Sequence, residues 1–166
     1  GLGEVRVVVS GGIDEFALER FRLARDPIDA AGIGMALGVS NDAPSLDSAY
    51  KLVDFDGRPT MKLSTEKISL PGAKQIWRGE SIADDVLARR EEAGPMGTVP
   101  LLDVVMRDGR RTARPGSIAG ASLRLREDLN RLPEHALRLH APDAPKVSIS
   151  TDLRVLADAV ARDLGS

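Results

Sequence analysis

The first forty residues alternate apolar runs with glycine turns, in the order strand, turn, helix, strand, turn. Val5–Val9 is a nearly continuous β-branched run, which is typical of a strand buried on both faces of a parallel sheet. Beyond the glycines that follow, Asp14 is a candidate N-cap for a helix that runs to about Arg25 and ends before Asp26-Pro27. Ile28–Ile33 is a second apolar run, so the pattern predicts two adjacent parallel strands joined by a helix.

Small residues follow both predicted strands, as Ser10-Gly11-Gly12 and as Gly32-Ile33-Gly34-Met35. Glycine lets backbone N–H groups approach the oxygen atoms of an anion closely, and a helix N-terminus adds partial positive charge. In eight-stranded βα barrels, the last two strand-to-helix loops commonly hold a phosphate. The candidate phosphate-binding residues are therefore Ser10, Gly11, Gly12, Gly32, Gly34 and Met35. The alternative is that these are simple turns, which occur in any βα protein.

Antiparallel hairpins are predicted after Leu37, where the periodicity changes. Asp56-Gly57 and Asp108-Gly109 are the two-residue signals of type I′ turns. The strands predicted to flank them are Ala49–Phe55 with Pro59–Leu63, and Leu101–Met106 with Arg110–Thr112.

Short strands and two helices complete the prediction. The strands are expected at Ile68–Leu70 and Gln75–Arg78, around a Pro71-Gly72 turn, and at Val147–Ile149. The helices are expected from Ser117 or Pro115 to about Arg131, and over Thr151–Leu164 with Ser150 as N-cap. The chain thus divides into a parallel βα part, residues 1–40, and a β-rich part with C-terminal helices, residues 41–166.

Composition excludes several classes of function. The net charge of −2 argues against a large nucleic-acid or anionic-lipid surface. The absence of cysteine excludes disulfides and thiolate metal sites, and it favours a reducing, cytoplasmic compartment. No apolar run approaches the roughly 20 residues that span a bilayer. The Val5–Val9 strand needs neighbours on both sides and only one candidate follows, so we expect the C-terminal part of a longer subunit.

Three stretches resemble the nicotinate phosphoribosyltransferases. They are SGGIDEFALERF at residues 10–21, the run at residues 29–78, which is most specific around Tyr50–Arg78, and a later segment that begins with PLLDVVMRDGRR at residue 100. The resemblance extends over nearly the whole chain. It implies an α/β fold: the last βα units of a type II phosphoribosyltransferase barrel, then antiparallel hairpins and C-terminal helices of an accessory domain. One departure concerns Met35, which stands where relatives usually have threonine, so backbone amides would carry more of the phosphate contact.

The resemblance also implies an activity and its partners. The family forms nicotinate mononucleotide from nicotinate and phosphoribosyl pyrophosphate, in NAD biosynthesis, with coupled ATP hydrolysis and Mg²⁺. We therefore expect this chain to supply the loops for the 5′-phosphate. A homodimer, or association with the N-terminal part of the subunit, is expected. The alternatives are a quinolinate phosphoribosyltransferase-like protein and a non-catalytic fragment that binds phosphate or a partner.

Catalytic residues cannot be assigned within the chain. The family's phosphate-accepting histidine is expected outside it, and His135 and His140 are interpreted as surface or structural residues because they lie in a proline-flanked connector. Trp77 is interpreted as a packing anchor, and the adjacent Asp84 and Asp85 as carboxylates on opposite faces of a strand. Lys62 and Lys67 belong to a segment that the resemblance places near the substrate funnel, but a solvated face is the simpler interpretation. We expect the isolated chain to be inactive.

Overall fold

A computed structural model of the chain describes residues 3–64, 68–113 and 116–165. Lys67 and Pro115 lie outside the described residues. The chain divides into two compact units, Gly1–Ala49 and Tyr50–Ser166. This division falls later than the change of periodicity near residue 40, because the loop that follows the second glycine turn belongs with the first unit.

The first unit contains the predicted parallel pair. Strand β1 is Val8–Ser10, helix α1 is Glu15–Ala24, strand β2 is Ala30–Gly32 and helix α2 is Met35–Gly38. β1 and β2 pair in parallel, and the register places Val8 opposite Ala30. The predicted order of strand, helix and parallel strand is therefore confirmed.

Helix α1 begins and ends through local chemistry. The Asp14 carboxylate accepts a hydrogen bond from the amide of Ala17 at 2.7 Å, as a helix N-cap does. At the other end, Arg25 adopts a left-handed conformation with φ 56°. The amide of Asp26 then reaches back to the carbonyl of Phe21 at 3.1 Å, which closes the last turn in a Schellman motif. The chain therefore leaves the helix before Pro27, where the sequence predicted its end.

The expectation that Val5–Val9 is buried on both faces is wrong for this chain. The strand begins only at Val8, and Val5, Val7 and Val8 are largely exposed. The physical reason is that no layer of the structure covers these valine side chains, and β1 also has a strand neighbour on one side only. Just before the strand, the backbone amide of Val7 donates a hydrogen bond to the Asp29 carboxylate at 2.6 Å.

A four-stranded sheet forms the centre of the second unit. Its strands are β5 Lys74–Arg78, β6 Asp84–Arg89, β7 Val99–Pro100 and β10 Lys146–Ile149, in the spatial order β10-β6-β5-β7. β6 pairs antiparallel with β5 and parallel with β10. Helix α4, Thr151–Gly165, packs on β6 and buries Leu153 completely.

Both predicted hairpins form with the predicted turns. Strands β3 Asp54–Phe55 and β4 Arg58–Pro59 flank the first turn, and β8 Met106–Arg107 and β9 Arg110–Arg111 flank the second. In each turn the aspartate and the glycine both have positive φ, with 51° and 74° in the first turn and 49° and 73° in the second. Two consecutive positive φ angles define a type I′ turn. The strands are shorter than predicted.

Ile68–Leu70 does not form the predicted strand. Two hydrogen bonds join Ser69 to Lys62, one between backbone atoms and one to the Ser69 side chain, and they do not form the regular backbone ladder of a strand pair. The Ser69 amide donates to the Lys62 carbonyl at 3.3 Å, and the Lys62 amide donates to the Ser69 hydroxyl at 2.8 Å. The Ser69 hydroxyl thus accepts the hydrogen bond that a backbone carbonyl would accept in a regular strand pair.

The C-terminal helices follow the sequence prediction closely. Helix α3 is Ile118–Arg131, and its Ser117 hydroxyl accepts the amide of Gly120 at 3.0 Å. Ser150 likewise caps α4, since its hydroxyl accepts the amide of Leu153 at 3.2 Å. A short 3₁₀ helix, Glu134–Leu137, lies in the proline-flanked connector between α3 and β10.

Candidate functional site

The register of β1 and β2 brings the two glycine turns together. Ser10, the last residue of β1, lies opposite Gly32, the last residue of β2. The two strands therefore end at the same level, and both loops leave from the same edge of the sheet. In parallel α/β structures this edge, outside the carboxyl ends of the strands, is where ligands commonly bind.

Gly32 allows the two strand ends to approach closely. A Cβ atom on Gly32 would lie 3.0 Å from the Cβ of Ser10 and 3.6 Å from the carbonyl oxygen of Val9. A side chain at this position would push Ser10 away and separate the loops. Gly32 therefore sets the spacing of the two loops, a structural role distinct from direct contact with an anion.

The other glycines border open space. Gly11 and Gly12 have φ angles of 102° and 59°, a conformation that glycine adopts without strain. Gly34 precedes α2 with φ −122°, and a Cβ added at any of these three glycines would meet no atom within 4 Å. Among the described residues, no acceptor is found for the backbone amides of Gly11, Gly12, Gly34 and Met35. The loops thus combine unoccupied space with unpaired N–H donors.

The N-terminus of helix α1 carries negative charge beside the first glycine turn. The N-cap Asp14 and the first-turn residue Glu15 are both carboxylates, and the Asp14 side chain already accepts a hydrogen bond from the amide of Ala17. These negative charges offset the partial positive charge of the helix N-terminus. The donors suited to an anion are therefore the loop amides, with the Ser10 hydroxyl beside them.

The two histidines lie in the second unit, away in sequence from the glycine turns. His135 is half-buried in the 3₁₀ helix, and His140 is exposed in the connector that follows. Neither residue belongs to the unit that carries the glycine loops.

Trp77 lies in β5 with its indole ring against Gly94. A Cβ on Gly94 would overlap the ring at 2.3 Å. The indole Nε1 is buried and has no hydrogen-bond acceptor among the described residues. The ring thus contributes to packing within the sheet unit, and it is not presented as an open stacking surface.

Asp84 and Asp85 have different surroundings, as expected for neighbours on a strand. Asp84 is exposed, whereas Asp85 is buried and accepts from Nε and Nη2 of Arg78 at 2.8 and 2.5 Å. This bidentate hydrogen bonding raises the pKa of Arg78. This ion pair links β5 to β6. It could not be predicted from the sequence, because only the pairing of the two strands brings Arg78 and Asp85 together.

Two lysines near the Pro71-Gly72 turn have different roles. Burial lowers the pKa of Lys74, and its ammonium donates to the carbonyls of Leu70 and Gly72 at 2.7 and 2.6 Å. It therefore stabilises the turn. Lys62 is exposed beside a cleft of about 420 Å³ that is lined mainly by hairpin residues, Tyr50, Lys51, Leu52, Thr60, Met61 and Ser69.

The described ranges contain neither a metal-ligand cluster nor a membrane-spanning helix. No group of three or more histidine, aspartate or glutamate side chains is placed to hold a metal ion there. Helices long and apolar enough to cross a bilayer are absent from those ranges as well.

Comparison with known proteins identifies the family. Residues 73–157 match the model of the nicotinate phosphoribosyltransferase C-terminal domain. Nicotinate phosphoribosyltransferase pncB2 of Mycobacterium tuberculosis is 38% identical over an alignment of 137 positions that covers 80% of this chain and 29% of that protein. The human nicotinate phosphoribosyltransferase is 31% identical over an alignment of 187 positions that covers 96% of this chain and 35% of that protein. The chain belongs to the nicotinate phosphoribosyltransferase family.

The fold agrees with this assignment. The crystal structure of human nicotinic acid phosphoribosyltransferase matches 96% of this chain and 34% of its own, with a TM-score of 0.72 and 27% sequence identity. The chain thus spans about a third of the length of the relatives that it matches. The resemblance seen in the sequence is confirmed, and so is an α/β fold of the kind found in this family.

Proposed function

We propose that this chain forms the C-terminal third of a nicotinate phosphoribosyltransferase, an enzyme of NAD biosynthesis. In this proposal the first unit supplies the last βα units of the catalytic barrel, and the second unit belongs to the accessory domain. The two glycine loops bind the 5′-phosphate of phosphoribosyl pyrophosphate. The observation that carries the proposal is the pairing of Ser10 with Gly32, which sets two loops with free amides at one sheet edge.

The loops would act by positioning. Amides of Gly11, Gly12, Gly34 and Met35 donate to the phosphate oxygens, and no side chain at the glycines blocks their approach. Binding energy from this remote phosphate fixes the ribose, so that its C1 atom is held for attack by the nicotinate nitrogen. The chain's own residues therefore orient the substrate and stabilise charge, without covalent attack on the sugar.

We include ATP as a substrate and Mg²⁺ as a cofactor in the proposal only because the family resemblance implies them. The described residues offer no carboxylate cluster for Mg²⁺, and both histidines lie in the connector of the second unit. We therefore assign the phosphate-accepting histidine, the metal ligands and the nicotinate pocket to the other part of the subunit. The enzyme would work as a homodimer, or as an association of this chain with that part. The names of the relatives favour nicotinate enzymes over the related quinolinate enzymes.

Replacing Gly34 by valine tests the phosphate role. The test uses a chimeric subunit in which this chain replaces the matching C-terminal third of the M. tuberculosis pncB2 protein. Because a Cβ at residue 34 meets no protein atom within 4 Å, the variant should fold normally. We expect the KM for phosphoribosyl pyrophosphate to rise at least about tenfold, which corresponds to roughly 1.4 kcal/mol of lost binding, while the KM for nicotinate stays unchanged.

Gly38→Val is the matched control, since residue 38 lies at the other end of α2 and also borders open space. It should leave both KM values unchanged. An equal loss for both substrates in Gly34→Val would indicate misfolding and contradict the phosphate assignment. Phosphate binding without turnover by the chimera would instead favour the non-catalytic alternative.

A further inference from the structure

Helix α3 is amphipathic and has no buried residue. Ile118, Ala121, Leu125 and Leu129 recur at spacings of three and four residues, so they share one face of the helix, here called the α3 stripe. Leu123 lies on another face of the helix. The stripe is exposed along its whole length, although aliphatic side chains of this kind usually cover a core.

Helix α3 is capped at one end and, among the described residues, is bonded to the rest of its unit only at the other end. Ser117 caps the N-terminus, and at the other end the Arg131 guanidinium donates to the carbonyls of Gly79 and Glu80, both at 2.8 Å. Between these ends, a helix of 14 residues has no packing face covered. Helices of this length are marginal in water without tertiary packing. The stripe therefore needs a covering surface.

The β8–β9 hairpin also exposes apolar side chains, and it carries positive charge. Val105 and Met106 are mostly exposed, and Arg107 lies directly opposite Arg110 in the antiparallel pair. Like charges in this position destabilise a hairpin unless an anionic group lies nearby. Neither arginine forms an ion pair with another described residue. A surface that covers the hairpin should therefore carry carboxylates, whereas a surface that covers the α3 stripe should be apolar.

We propose that the α3 stripe docks on the part of the nicotinate phosphoribosyltransferase subunit that this chain does not match. This inference rests on the proposed function, and the length of the relatives supports it, because about two thirds of each lies outside the match. The match to the human structure covers 96% of this chain, too much to omit a helix of 14 residues. The occupant that we propose is the remaining part of the subunit, and the test below separates it from a second copy of this chain.

Leu125→Glu and Leu123→Glu form a matched pair of test variants. The two leucines lie on the same helix and are almost equally exposed, at 60% and 58%. Neither change should alter the folding of the chain, which circular dichroism can verify. Each variant is co-expressed with a tagged N-terminal segment of the M. tuberculosis relative, and the amount of chain that co-purifies is measured.

We expect Leu125→Glu to reduce co-purification at least tenfold, and Leu123→Glu to match the unaltered chain. Ile118→Glu, on the stripe, should repeat the loss. Equal retention of both variants, or no co-purification of the unaltered chain, would overturn the inference. So would a dimer of the chain alone, detected by light scattering, that Leu125→Glu dissociates while the complex persists. Phosphoribosyl pyrophosphate binding by the complexes with the unaltered chain and with Leu123→Glu tests the proposed function separately.

Discussion

Replacing Leu153 by alanine is expected to lower the free energy of unfolding of the second unit by about 3 kcal/mol. Leu153 is 0% exposed and lies in the first turn of α4, where that helix packs on β6. Removing a fully buried leucine side chain costs its transfer free energy and leaves a cavity, about 2–5 kcal/mol together. Urea unfolding followed by circular dichroism gives the value.

Val155→Ala is the control for this experiment, because Val155 lies on the same helix and is 61% exposed. It should change the unfolding midpoint by a small fraction of the Leu153→Ala effect. If the two variants were equally destabilised, α4 would not pack on the sheet through Leu153, and the described core of the second unit would be wrong.

Gly94→Ala should destabilise the same unit by about 2–3 kcal/mol, the upper range for overpacking. The added Cβ would lie 2.3 and 2.4 Å from two ring atoms of Trp77 and 2.8 Å from the Thr98 hydroxyl. The ring has little freedom to retreat, since the backbone of Trp77 is paired with Val86 on one side and Pro100 on the other. Fluorescence reports the site specifically, because Trp77 is the single tryptophan of the chain.

Gly79→Ala is the matched control, since a Cβ at Gly79 would meet nothing within 4 Å. It should leave the tryptophan emission unchanged. Unaltered emission and stability in Gly94→Ala as well would contradict the packing of Trp77 against the loop of residues 90–98.

The elements that the sequence predicted correctly depend on local chemistry. Asp56-Gly57 and Asp108-Gly109 adopt type I′ turns because positive φ at both positions is a property of these two residues. The caps of α1, α3 and α4 were likewise predictable, since a side chain three residues away satisfies the first amides of each helix.

The features that were missed depend on distant partners. For strand β6, the sequence indicated only that Asp84 and Asp85 lie on a strand. Its extent and its order in the sheet were missed, because they are defined by pairing with β5 and with β10 far along the chain. The exposure of Val5 and Val8 was missed for a related reason. Burial of a strand's side chains depends on other elements that pack around the strand, and a hydrophobic run does not show whether those elements are present. Sequence patterns therefore predicted turns and helices better than sheet order.

The candidate site also combines features that the sequence predicted with features that it did not. Glycine turns after two apolar runs indicated which loops to consider, because small residues permit close backbone approach. The close contact at Gly32 depends on the register of β1 and β2, which residue patterns did not specify. The phosphate role itself stays a prediction.

Formation of nicotinate mononucleotide by the chimeric subunit tests most directly whether this chain supplies the C-terminal third of such an enzyme. With nicotinate, phosphoribosyl pyrophosphate, ATP and Mg²⁺, we expect turnover by the chimera. The relative truncated before its matched third, and this chain alone, should each be inactive, because neither holds both the phosphate loops and the remaining catalytic groups. An inactive but folded chimera, or robust turnover by the isolated chain, would contradict the account.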